Sequence, residues 1–277
     1  HGGNAANFAE GFAELIEPGH EVLLLPQPTA GEADRRAFET ADVIVGVRLG
    51  PDDPRPLAAR LYHAPAAGTD GIDRACLGAG TALCNAFGHE NAIAEYVMAA
   101  LLARHVPLER ADRRLREGHW DYWAGRPGAL RTELGAQTIG LLGYGHIGKA
   151  IAARAKAFGM TVAVCNRGRV QPDSLVDRSF PLADLPSFMA AADAIVVSLP
   201  LTEDTRGIVA ADALAAMRPH GVIVNVGRGP VIDERSLYDA LAAGRIGGAV
   251  IDTWYQYPTQ ETPVVRPSLL DFAALGN

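Results

Sequence analysis

The chain has 277 residues, 48% hydrophobic and 21% charged, enough for two domains with packed cores and unlike the composition of a disordered chain. Its formal net charge of −7 offers no overall basic field for a phosphate backbone, so no nucleic acid is expected as a partner. Cys76, Cys84 and Cys165 are an odd number, far apart and without a CxxC, which argues against a disulfide framework or zinc cage and fits a reducing, cytoplasmic setting. No membrane is expected either: the longest apolar stretch, Ala92 to Ala103, contains Glu95 and is shorter than the roughly 18 residues of a span, and no secretion leader opens the chain.

In chain order, the apolar runs Glu21 to Leu25, Ala41 to Val47, Leu61 to Ala64 and Ala82 to Cys84 read as strands, with helices expected over Glu32 to Thr40 and Pro54 to Arg60. Strand-helix alternation of this kind predicts a parallel sheet in a small α/β domain. A long helical region follows, its apolar face marked by Ile93, Val97, Leu101, Leu108 and Leu115, and the mixed-sign run Arg110 to Arg116 reads as a solvated face. The rhythm then restarts with five expected strands, Thr138 to Leu142, Thr161 to Cys165, Ala194 to Ser198, Val222 to Val226 and Gly248 to Ile251.

The clearest chemical signal is Gly143-Tyr144-Gly145-His146-Ile147-Gly148, a GxGxxG that follows the first of these strands and opens the helical stretch Lys149 to Phe158. Gly143 permits a tight turn, Gly145 lets backbone approach a pyrophosphate, Gly148 allows close helix packing, and N–H groups at the helix start favour the anion. A lone GxGxxG is weak evidence; with a strand before it and a helix and second strand after it, it predicts dinucleotide binding. A NAD-binding fold usually carries an acid about 20 residues on, to hold the ribose hydroxyls. Here that tip is Asn166-Arg167-Gly168-Arg169. Asn166 brings no negative charge and the arginines suit a 2′-phosphate, so NADP is slightly favoured over NAD; alternatively, both arginines are simply solvated.

A second loop, Asn225-Val226-Gly227-Arg228-Gly229, ends a buried strand, where loops of an open parallel sheet face the ligand crevice. The fork of Arg228 matches a carboxylate, the alternative being a structural pair with an acid such as Asp233.

At this point the chain resembles the D-isomer-specific 2-hydroxyacid dehydrogenase family, glyoxylate/hydroxypyruvate reductases and formate dehydrogenase-like members included. The matching blocks are Gly68 to Asp73, Asn91 to Glu95, the GxGxxG region, Leu199 to Thr202 with Thr205 to Gly207, Asn225 to Gly229, and Gly244 to Asp252. The resemblance implies a flavodoxin-like substrate domain over residues 1–84 and a Rossmann-type dinucleotide-binding domain with the interdomain helix over 85–277, with closure of the two excluding water. It implies that Arg228 is catalytic, with the amides of Ala67 and Gly68 on the substrate carboxylate. Asp252 would face the nicotinamide; Leu199, Pro200, Thr205, Val226 and Gly227 would line the cofactor; His146 and Ile147 would offer amides to the pyrophosphate. His89, before the long helix, is a candidate for the substrate side. No metal site is indicated.

The family's acid/base histidine follows the last block, supported by a glutamate five residues after the aspartate. Here that position is Tyr257, and no histidine follows His220. The expectation is therefore a general acid beyond Asn277, with the first strand and the returning C-terminal helix of the substrate domain also outside the chain. Two functions stay open: an NAD(P)-dependent oxidoreductase acting on a small 2-keto or 2-hydroxy acid, as a homodimer, or a catalytically reduced dinucleotide-sensing or scaffold protein of the same fold.

Overall fold

The computed structural model describes residues 1–3, 5–125, 132–259 and 262–277. The chain divides into two compact units, His1–Gly88 and His89–Asn277.

In the first unit, α1 (Ala5–Ala9), α2 (Phe12–Leu15) and α3 (Glu32–Thr40) precede three strands, β1 (Val43–Val45), β2 (Leu61–Ala64) and β3 (Ala82–Asn85). The strands form a parallel sheet in the order β1-β2-β3, with Ile44 opposite Tyr62 and Tyr62 opposite Leu83. Phe38 of α3 packs with Ile44, Leu49, Tyr62 and Ile72 in its core. Two expected elements are absent. Glu21 to Leu25 joins no strand ladder: Leu25 accepts a bond from the Gly2 N–H at 3.1 Å, and Val22, Leu23 and Leu24 are exposed. An apolar run becomes a strand only where a neighbour supplies the ladder. Pro54 to Arg60 is not a helix, because Pro54 and Pro56 supply no N–H and disfavour helical backbone before them. The segment bonds outward instead, from Ala58 N–H to the Glu39 carbonyl (2.8 Å) and from Arg60 N–H to the Asp42 carbonyl (2.9 Å).

The second unit opens with α4 (Glu90–His105) and α5 (Leu108–Arg116) and continues as β4 (Thr138–Leu142), α6 (His146–Ala157), β5 (Thr161–Asn166), β6 (Arg178–Pro181), α7 (Leu185–Ala191), β7 (Ala194–Val197), α8 (Ala211–Ala216), β8 (Val222–Asn225), α9 (Glu234–Ala242) and β9 (Gly248–Ile251). All six strands are parallel, in the order β6-β5-β4-β7-β8-β9, the doubly wound arrangement of dinucleotide-binding domains. Alternation explains the apolar runs. Leu141 and Val196 enter one core with Val97, Leu101 and Ile151, while Leu142 and Val197 enter the other with Phe188, Met189 and Leu237. Both faces are covered, so a strand has no polar side to show.

Five strands were expected here and six are present among the described residues. The extra one, β6, reads Arg-Ser-Phe-Pro and carries neither alternation nor a continuous apolar run; it pairs only with β5, at the border, where proline is tolerated. The long apolar face also stops short. Ala94, Val97, Met98 and Leu101 of α4 are buried, but Leu108 and Leu115 are exposed and α5 buries nothing. Val106 and Pro107 separate the two helices, so the periodicity of the first does not carry into the second.

Candidate active site

Because the six strands run the same way, the residues just past β4, β5, β7, β8 and β9 share one edge of the sheet, the edge at which such folds bind ligands. Gly143 to Gly148, Asn166 to Arg169, Leu199 to Thr205, Val226 to Gly229 and Asp252 all stand there. The loops are also bonded to one another. Gly143 N–H donates to Cys165 O (2.9 Å), Val226 N–H to Val197 O (3.1 Å) and Asp252 N–H to Asn225 O (3.0 Å), while Ser198 Oγ donates to Gly143 O (3.2 Å).

Each glycine of the first loop has its own reason to be glycine. Gly143 has φ 101°, a left-handed backbone that side chains disfavour. Gly148 could carry no β-carbon without meeting the Gly143 carbonyl, whereas one on Gly145 would meet nothing within 4 Å. Gly145 also begins α6 and supplies no side-chain cap, at a helix end whose dipole favours an anion. Open space for backbone to approach at the start of a helix is what a dinucleotide pyrophosphate needs, and the residues fit that group. His146 is exposed and Ile147 half-buried at the start of the helix.

At the tip of β5, Asn166 is half-buried, its amide donating weakly to Gly168 O at 3.4 Å. Arg167 and Arg169 are exposed and make no ion pair among the described residues. Just beneath them, burial first and Asp184 second push the Cys165 thiol up to about 12, which leaves it an apolar filler. Past β7, Leu199 is buried and Pro200 exposed. The hydroxyl of Thr205 is committed within its own loop, donating to Pro200 O (2.7 Å) and accepting from Thr202 N–H (2.8 Å). Thr205 therefore shapes the loop that presents Leu199 and Pro200.

Arg228 is half-buried, with Nη1 donating to Gly227 O at 3.0 Å. Its loop is tightly held. A β-carbon on Gly229 would collide with the Trp254 carbonyl, and one on Gly227 would stand 2.6 Å from the Leu199 carbonyl. The Asp233 carboxylate caps α9 by accepting from Ser236 N–H at 2.8 Å. Asp252 is exposed; burial first and this carboxylate second raise the Tyr96 phenol of α4 above its ordinary range.

Ala67 and Gly68 belong to the first unit, in the loop after β2, where Ala67 O accepts from the Asn85 amide at 2.9 Å. His89 is exposed at the start of α4 in the second unit. Among the described residues no group of three or more His, Cys, Asp or Glu is placed to hold a metal ion, and no helix is long and apolar enough to cross a membrane. Asn225 went unassigned in the sequence although it stands three residues before Arg228. Its only signal there is that Asn-x-Gly is the composition of a side-chain-closed turn.

Residues 98–270 match the family model of the D-isomer specific 2-hydroxyacid dehydrogenase, NAD binding domain. The D-3-phosphoglycerate dehydrogenase of Mycobacterium tuberculosis is 32% identical over 249 residues, 89% of this chain and 45% of that protein. The glyoxylate/hydroxypyruvate reductase A of Arabidopsis thaliana is 36% identical over 166 residues, 60% of this chain and 51% of that one. The chain thus spans about half the length of these curated relatives. A solved D-isomer specific 2-hydroxyacid dehydrogenase family protein from Aeromonas salmonicida matches the fold with a TM-score of 0.73 at 26% identity, over 93% of this chain and 81% of that one. The chain belongs to the D-isomer specific 2-hydroxyacid dehydrogenase family, and the matched residues 98–270 lie wholly within its second unit.

Proposed function

We propose that the protein is an NAD(P)-dependent oxidoreductase that interconverts a small 2-keto acid and its 2-hydroxy acid. The observation that carries this reading is the presence, on one sheet edge, of a glycine turn with open space at Gly145 and a braced loop bearing Arg228. When bound, the dinucleotide supplies or accepts the hydride. First-turn amides at His146 and Ile147 would hold its pyrophosphate, with Leu199, Pro200, Val226 and Gly227 lining it and Asp252 toward the nicotinamide end. Arg228 would take the substrate carboxylate in its fork and orient the keto group; charge-assisted bonds of this kind contribute about 1.5–3 kcal/mol each.

The tip of β5 supports NADP as the preferred form, because Asn166 lacks the carboxylate that would repel a 2′-phosphate and Arg167 and Arg169 stand exposed beside it. The family resemblance supports a homodimer, and the unpaired cysteines a cytoplasmic setting. The deciding experiment is oxidation of NADPH and NADH by the full-length gene product over a panel that includes glyoxylate, hydroxypyruvate and bulkier 2-keto acids. Faster NADPH oxidation with at least one of them is expected; dinucleotide binding without turnover of any would overturn the assignment.

A further inference from the structure

Arg228 can orient a carboxylate only if its backbone is held still; beside the Val231 N–H, which donates to Arg228 O at 3.1 Å, one buried side chain braces the turn. Asn225, at the end of β8, is 1% exposed. Its Oδ1 accepts from Gly227 N–H at 3.1 Å and its Nδ2 donates to Arg228 O at 3.1 Å. One planar amide therefore closes the turn on both sides, its oxygen as acceptor and its nitrogen as donor. The backbone carbonyl of the same residue accepts from Asp252 N–H (3.0 Å) and Thr253 N–H (3.4 Å). Asn225 is thus the point at which the Arg228 loop and the Asp252 segment are held in common.

We infer that Asn225 is a positioning residue: it acts through Arg228, setting the direction in which the guanidinium meets a carboxylate. The inference rests on the carboxylate role proposed for Arg228. Asp at this position would keep the acceptor for Gly227 but turn a second oxygen toward the Arg228 carbonyl, replacing a bond with a repulsion. Ala would remove both side-chain bonds and loosen the turn.

The test is a double-mutant cycle on the NADPH-loaded protein, with oxalate as the probe for carboxylate recognition and NADPH affinity and thermal unfolding measured in parallel. Asn225→Ala is expected to weaken oxalate about tenfold with NADPH affinity little changed. In the Arg228→Ala background the same substitution should have no further effect, because the group it positions is gone. If Asn225→Ala unfolds the chain, Asn225→Asp takes its place in the same cycle. Equal, additive losses in both backgrounds would overturn the inference and make Asn225 a general structural residue. Unchanged oxalate binding in the Asn225 variant beside a clear loss in Arg228→Ala would overturn it alone. Full oxalate binding in Arg228→Ala, or none in the unmodified chain, would overturn the carboxylate role of Arg228 as well.

Discussion

The carbonyl of Gly143 occupies the space that a β-carbon on Gly148 would need. Backbone lies on one side of this contact and the first turn of α6 on the other, so neither can yield cheaply. Gly148→Ala should therefore destabilise the second unit by about 1–3 kcal/mol, the usual cost of overpacking, and thermal unfolding would register it with or without ligand. An unchanged melting temperature would mean that the turn is looser than its geometry indicates.

Gly145 makes the opposite case. A β-carbon there meets no atom within 4 Å, so Gly145→Ala should stay within about 0.5 kcal/mol of the parent in stability. The added methyl would nevertheless stand where a pyrophosphate must approach. Titration with NADPH should show a clear loss of affinity in a protein that unfolds normally, and the contrast with Gly148→Ala would separate ligand clearance from packing.

Arg167→Ala should weaken NADPH by about 1.5–3 kcal/mol if the guanidinium pairs with a 2′-phosphate, while NADH affinity stays where it was. Side-by-side titrations at one ionic strength decide this, and an equal loss for both cofactors would remove Arg167 from the phosphate site.

Arg228→Lys keeps the charge but not the fork. Cofactor affinity should hold, while kcat/KM toward any accepted 2-keto acid falls about 10- to 100-fold, the equivalent of one charge-assisted bond. Steady-state kinetics of the full-length protein with a separate cofactor titration tests it; near-parental kcat/KM would deny Arg228 its role.

At the opposite edge of the sheet, Asp193 is a stability device. Burial pushes its pKa up, but Thr138 N–H, His220 and Arg218 outweigh that and hold the carboxyl below its ordinary range. With the folded value depressed, the contribution is complete above the unfolded value near 3.8 and is lost as pH falls through the folded value. Asp193→Asn should cost about 1.5–3 kcal/mol at neutral pH and flatten the acid limb of the stability profile. Denaturant midpoints for both proteins between pH 3 and pH 7 give the comparison, and parallel curves would contradict it.

How much of this was legible in the sequence depends on how local the cause is. The glycine turn is legible because each of its constraints acts within a few residues, and β4, β5, β7, β8 and β9 because burial on both faces writes an apolar run. Glu21 to Leu25 has the composition of a strand, but pairing is a property of the neighbour and cannot be read from the run itself. Pro54 and Pro56 were the local warning against a helix there. The site residues at the sheet edge follow from the parallel order once the strands are known. The clamp by Asn225 could not be read in advance, since an amide that closes a turn and one that faces solvent have the same spelling.

The border strand β6 has one more consequence. Pro181 offers no N–H, and Arg178 places an exposed charge at the other end of the same four-residue strand. A second molecule seeking to extend the sheet along this border would find a missing donor and a cation to desolvate. The short, irregular sequence that hides β6 from pattern reading thus also acts as a guard against edge-to-edge aggregation, and replacing Pro181 and Arg178 with valine would be expected to lower the concentration at which the protein begins to self-associate.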